Sequence, residues 1–243
     1  MSPDGTRIAF IDGGELHVID VTGHNERTLD VRGIWPAWLP DGRVAYVAPD
    51  RRSVETIPVD GGTPVSLVPA PALDDHGPGW TIDTFDVSPD GTQVALAVFR
   101  GEAGDERSTL AFFDIDEGSA ELISPDGTAL VMNPAFSPDG RLVAYVIYGR
   151  VSTWDLDAEA ATELSPRDLR TGAPAWTRDG MELVYAAIGD ALRGGAALVA
   201  TRIDAREKAR VLVEAGPVFE NVPALVHQAF PTRRAATALP DGS

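Results

Sequence analysis

A Pro-Asp-Gly corner between two apolar runs recurs along this 243-residue chain, and that recurrence limits the fold more than any other feature. It stands as "SPDGTRIAF" from Ser2, "LPDGRVAYV" from Leu39, "SPDGTQVAL" from Ser88, "SPDGRLVAY" from Ser137 and, worn down, "TRDGMELVY" from Thr177. The corner aspartates Asp4, Asp41, Asp90, Asp139 and Asp179 follow one another at spacings of 37, 49, 49 and 40 residues. A period in this range points to a repeat architecture before any other fold. Within the corner the proline fixes φ, the carboxylate bonds to turn N–H groups, and glycine takes the positive-φ position.

After each corner comes a short apolar block with a small residue at one register: Ala9, Ala45, Ala95 and Ala144, with Val184 in the last copy. A bulky residue follows it: Phe10, Tyr46, Leu96, Tyr145 or Tyr185. The blocks do not alternate cleanly, so they read as strands covered on both faces. The small side chain lets neighbouring sheets approach while the bulky one fills the space beside it. Ahead of the corners stand "WPAW" (35 to 38), "NPAF" (133 to 136) and "APAW" (173 to 176), with "TFDV" (84 to 87) as the variant. A third strand ending in Asp and a short fourth strand complete each unit, as in "LAFFDID" followed by "AELIS".

Each unit is therefore four antiparallel strands, a to d, with the corner joining a to b. Units of this length arranged around an axis are β-propeller blades. The expected fold class is all-β, a β-propeller with blades near 1–33, 34–70, 80–124, 131–166 and 172–214. The segment 196 to 215 is rich in helix formers, yet repeat register makes it strand c, turn and strand d. The motif P-A-[WF]-S-P-D-G-x-x-[VI]-A-[FY] resembles the repeat of TolB-like, more broadly WD-repeat-like, propellers. It is also similar to the propellers of prolyl-oligopeptidase and dipeptidyl-peptidase enzymes. That resemblance covers residues 1 to about 215 and implies a fold; its matching residues are turn and core positions and imply no activity.

Blade 1 begins at its corner and lacks strand a. "NVPALV" (221 to 226) matches the strand-a pattern, with Leu225 where Trp38, Phe136 and Trp176 stand. Two readings stay open: a closing strand at 221–226 that makes 1–227 one five-bladed domain, or a truncated six-bladed ring, the number usual in the resembled family. Residues 228–243 read as a loose tail.

Composition narrows the function. A formal charge of −17 argues against nucleic acid and against an anionic membrane surface, both of which call for basic residues. No apolar run is long enough to span a bilayer as a helix, and no signal peptide is visible, so the chain carries no address of its own. The absence of cysteine excludes disulfides and thiolate chemistry. His17, His24, His76 and His227 have no i, i+4 pairing, so no metal and no cofactor is expected. "DID" (114 to 116) and "DLD" (155 to 157) read as turn stabilisers rather than calcium ligands. There is no G-x-S-x-G elbow and no phosphate loop, and no catalytic residue is assigned.

What remains is a binding surface. The a–b corners and c–d turns are short, while the opposite face receives long loops at 69 to 81, 100 to 107, 124 to 130 and 188 to 195. Binding residues gather on such loops when a rigid scaffold carries them. The candidates are Asp74, Asp75, His76, Glu102, Asp105 and Glu106, with Trp80 as an aromatic anchor. The expected partner is a protein or peptide, basic if the carboxylates steer it. The rival expectations are the propeller of a serine peptidase and an extracytoplasmic sensor domain.

Overall fold

A computed structural model describes residues 1–101, 107–123, 130–166, 169–189, 196–204 and 209–214. Their strands form five antiparallel sheets in chain order. Blade 1 holds β1 (Arg7–Asp12), β2 (Glu15–Asp20) and β3 (Arg27–Arg32). Blade 2 holds β4 (Ile34–Trp38), β5 (Val44–Val47), β6 (Val54–Ile57) and β7 (Val65–Val68), and a 3-10 helix, Ala70–His76, leads out of it. Blade 3 runs through β8 (Thr81–Val87), β9 (Gln93–Arg100), β10 (Arg107–Asp114) and β11 (Ser119–Leu122). Blade 4 has β12 (Val131–Phe136), β13 (Leu142–Ile147), β14 (Arg150–Asp155) and β15 (Ala160–Glu163). In blade 5, β16 (Leu169–Thr171) and β17 (Ala175–Trp176) both pair with β18 (Glu182–Gly189), followed by β19 (Ala196–Arg202) and β20 (Arg210–Glu214). The helix-forming stretch from 196 is thus strand, as register demanded: its apolar residues have a sheet to pair with, and tertiary context overrides propensity.

The corner closes on itself in the same way each time. Ser88 Oγ donates to Asp90 Oδ1 (2.6 Å), which also accepts the Thr92 N–H, while Ser88 Oγ accepts the Gln93 N–H (2.9 Å). Gly91, at φ +76°, donates to the Ser88 carbonyl. Ser2–Asp4, Ser137–Asp139 and Thr177–Asp179 repeat the set. In blade 2 Leu39 replaces the hydroxyl, and Asp41 instead receives the Arg43 N–H and guanidinium. These bonds hold all five corner carboxyls below their usual range, Asp4 at about 2 through the Ser2 hydroxyl first.

The recurring x-Pro-Ala marks a β-bulge. Pairing of β4 with β5 slips between Ile34 and Ala37, and that of β12 with β13 between Met132 and Ala135. Trp35 and Asn133, each just ahead of the proline, sit at φ +53° and +52°. Proline is tolerated there because strand a is an edge strand and the bulge frees its missing N–H from the ladder.

One packing rule joins the blades. On each strand b, counting from the corner Asp, positions +5 and +7 face the next blade, and positions +4 and +6 face the previous one. Ala95, Ala97 and Leu110 of blade 3 thus meet Val143 and Tyr145 of blade 4. Ala144, Val146 and Val151 of blade 4 meet Leu183 and Tyr185 of blade 5 in the same way. Blades 1 and 2, and blades 2 and 3, repeat the contact. The small residues Ala45, Ala95 and Ala144 are fully buried in these seams.

Candidate binding surface

The long loop after β7 is built, not loose. Leu73 of the 3-10 helix and Trp80 just beyond it pack into the core shared by blades 2 and 3. The His76 imidazole bonds through Nε2 to the Ala120 carbonyl at 2.7 Å, and since a carbonyl can only accept, Nε2 carries the proton. The His76 carbonyl accepts from Trp80 Nε1 and from Arg100. The Arg100 guanidinium lies 4.7 Å above the Trp80 ring, a cation–π contact. Gly77, at φ +95°, turns the chain here, and a Cβ on it would meet Arg100 at 2.9 Å.

A second latch joins the b–c turn of blade 2 to strand a of blade 3. Arg51 pairs with Asp83 and donates to the Ile82 carbonyl at 3.1 Å, while its own carbonyl accepts the Ile82 N–H. Asp83 sits in the bulge between Ile82 and Thr84. Arg52 pairs with Asp74 at 2.9 Å.

The predicted site residues therefore separate. Asp75 is exposed, Asp74 is exposed but paired, and His76 is half-buried and committed to Ala120. Trp80 corrects the sequence reading: it is 4% exposed with Arg100 over one face, so it anchors the loop and is not presented to a partner. Glu102, Asp105 and Glu106 lie outside the described residues, as does the closing strand at 221 to 226.

Both faces carry charges of both signs. The corner face carries the five corner aspartates together with Asp20, Asp60, Asp116 and Asp157 of the c–d turns. "DID" and "DLD" act as turns: Asp114 Oδ1 accepts the Asp116 and Glu117 N–H groups, and Asp155 Oδ1 those of Asp157 and Ala158. A shallow polar depression of about 200 Å³ beside Gln93, Phe112 and Glu117 opens on this side. Arg7, Arg27, Arg43, Arg141, Arg178, Arg202 and Arg210 also lie on the corner face, several paired with its aspartates, and the loop face carries Arg32, Arg51, Arg52, Arg100, Arg150 and Arg170, which offset its described carboxylates. Sequence reasoning missed these arginines because it weighed acids in the longest loops and not the short b–c turns beside them. Among the described residues no group of three or more acidic or histidine side chains could hold a metal ion. No helix among them is long and apolar enough to cross a membrane.

Along the inner edges of the blades, side chains staple neighbouring strands a. Thr84 Oγ1 accepts the Asn133 N–H and Asp86 Oδ2 the Phe136 N–H, both at 2.8 Å. Trp176 Nε1 donates to the Ala135 carbonyl at 2.9 Å. Burial pushes the Asp86 carboxyl up to about 6 against the pull of the Phe136 and Val87 N–H groups.

These blades, corners and bulged inner strands define a β-propeller, and the fold is similar to that of TolB. TolB from Acinetobacter baumannii superposes with a TM-score of 0.67 at 16% identity, over 87% of this chain and 53% of that one. Oligogalacturonate lyase from Vibrio parahaemolyticus gives 0.67 at 14% identity, over 89% of this chain and 64% of its own. Dipeptidyl peptidase 4 from Porphyromonas gingivalis gives 0.56 at 16%, over 76% and 33%. The chain thus spans less than two thirds of the length of each. No protein-family model matches the sequence, and no curated protein matches it.

Proposed function

We propose that the chain is a non-enzymatic propeller module that binds a protein or peptide segment on its loop face. The observation that carries this is the loop at 69 to 81. It is where the chain departs furthest from its repeat, and Leu73, Trp80 and His76 fix that departure to the scaffold. A rigid, non-repeated polar surface on a repeated frame is the usual form of a recognition site. Asp50, Arg52, Asp74 and Asp75 are the exposed charged groups this loop and its neighbouring turn present.

The test uses two labelled probe peptides, one arginine-rich and one glutamate-rich, titrated at low and at high salt. A chain with Asp74, Asp75, Glu102, Asp105 and Glu106 changed to amides serves as the comparison. The expected result is selective, salt-sensitive binding of the arginine-rich peptide that falls at least several-fold in the amide variant. Equal binding to both proteins at low salt would remove the acidic loops from the site.

A second reading has one observation behind it, the likeness to the propeller-containing dipeptidyl peptidase 4. In that reading the propeller positions peptide substrates for a catalytic domain. Addition of a peptidase domain would then change substrate-size selectivity and not the intrinsic rate on a small chromogenic substrate.

A further inference from the structure

Asp-Gly pairs recur along the described residues: one in each of the five corners, one at Asp12–Gly13 and one at Asp60–Gly61. Such a pair can convert spontaneously to isoaspartate, because a glycine nitrogen has no Cβ beside it to hinder attack. The nitrogen bonds to the aspartate Cγ, the carboxyl OH and the amide proton leave as water, and a succinimide ring forms. Water then opens the ring at the former backbone carbonyl, so the chain runs on through the side-chain carbon, one methylene longer. One water is lost and one regained, and no other reactant is needed. Two conditions set the pace. The glycine nitrogen must be free to give up its proton, and the carboxyl must be free to turn onto it.

We propose that Asp12–Gly13, and no corner, is the site of isoaspartate formation among the described residues of the folded protein. The corners and Asp60–Gly61 share one restraint: each glycine N–H donates to the carbonyl three residues back, at 2.9–3.0 Å. In the corners the carboxyl is held as well, since Oδ1 accepts the N–H two residues on, from Thr6, Arg43, Thr92, Arg141 or Met181. The corner carboxyls also titrate below their ordinary value, so less of each is present as the acid that loses water. The Asp60 carboxyl is held only by Arg27, at 3.4 Å. Asp12 has neither restraint. It is exposed at the end of β1, where Gly13 and Gly14, at φ +54° and +85°, make the two-residue turn into β2. Among the described residues nothing accepts the Gly13 N–H or donates to the Asp12 carboxyl. The contacts of the turn run through its carbonyls, Gly13 to Arg32 and Gly14 to the Gly33 N–H, both at 3.1 Å. They leave the reacting atoms free. Asp12 also stands opposite Glu15 in the ladder, and an uncharged succinimide removes one of two like charges set against each other.

The test ages the full chain in warm neutral buffer and reads isoaspartate at each pair by peptide mapping. Methyl transfer from S-adenosylmethionine by an isoaspartyl methyltransferase gives the total. Asp12 is expected to convert several-fold faster than Asp60, and Asp60 faster than any corner. The same chain aged in denaturant should convert at comparable rates at all of these pairs, because the restraints belong to the fold. Asp12→Glu, whose ring would be one atom larger, should remove the signal at position 12 and leave the corners unchanged. Three outcomes overturn the proposal. They are a corner that converts as fast as Asp12 in the folded protein, a folded protein in which Asp12 does not convert, and a ranking that persists undiminished in denaturant (neighbouring sequence then sets the rates).

Discussion

The seam between blades 3 and 4 and the outer faces of blades 5 and 1 are built from the same repeat positions, yet among the described residues only the seam is covered. Leu110 is 2% exposed in the seam, and Leu198, its equivalent in blade 5, is 41% exposed. Val143 is fully buried, and Ile8, its equivalent in blade 1, is 38% exposed. No strand of blade 5 packs on one of blade 1, among the described residues, as consecutive blades pack on each other. Burial in this fold thus follows from a neighbour and not from the residue itself. The repeat writes both halves of an interface into every blade, and among the described residues blades 1 and 5 each keep one half uncovered.

Paired truncations test that difference with the largest expected effect. Leu110→Ala should lower unfolding stability by about 2–4 kcal/mol, the range for a buried leucine leaving a cavity. Leu198→Ala should cost less than about 1 kcal/mol, as at exposed positions. Chemical denaturation of both proteins reads the difference, and equal losses would mean that blade 5 is covered in solution.

Asp86 sharpens the comparison because it lies in the covered seam. Its folded carboxyl titrates near 6 while an unfolded one titrates near 4, so the folded state binds the extra proton between those values. Stability from this group therefore rises as pH falls from about 6 to 4, and its charge is a cost at neutral pH. Asp86→Asn, which keeps an acceptor for the Phe136 N–H, should stabilise the protein by about 1–2 kcal/mol at pH 7.5. The difference should vanish near pH 4; a pH-independent change would assign the effect to packing.

The corners give smaller effects. Ser88→Ala strands the Gln93 N–H inside the chain and should cost about 1–2 kcal/mol. Ser2→Ala removes the same bonds from the partly covered end blade and should cost less in the global transition, since such regions open locally. The corner carboxyls titrate below their unfolded value, so their contribution is present above about pH 4 and is lost as pH falls toward 2. Acid unfolding should accelerate through that window, and Asp139→Asn should weaken the dependence.

The sequence carried most of the frame because each local signal agreed with the others. Corner, small-residue register and the strand ending in Asp all required the same four-stranded unit, even at 196 to 215 where propensity pointed to helix. The candidate site was less legible. "LDDHGPGW" reads as a polar loop, but Leu73 and Trp80 are its apolar anchors, and two large apolar residues inside a Gly-Pro-rich loop were the available sign of docking. The bulge was legible in principle, since proline inside a strand calls for an edge or a bulge. The charge of the loop face depends on which short turns fold beside the long ones, and that is a property of topology.

Native-state hydrogen exchange tests most directly the claim that cover is complete between blades 3 and 4 and half-built at blade 5. Amide protection in β9 and β10 should approach the global unfolding limit, whereas β19 and β20 should exchange through smaller local openings and much faster. Equal protection in the two pairs of strands would contradict the account.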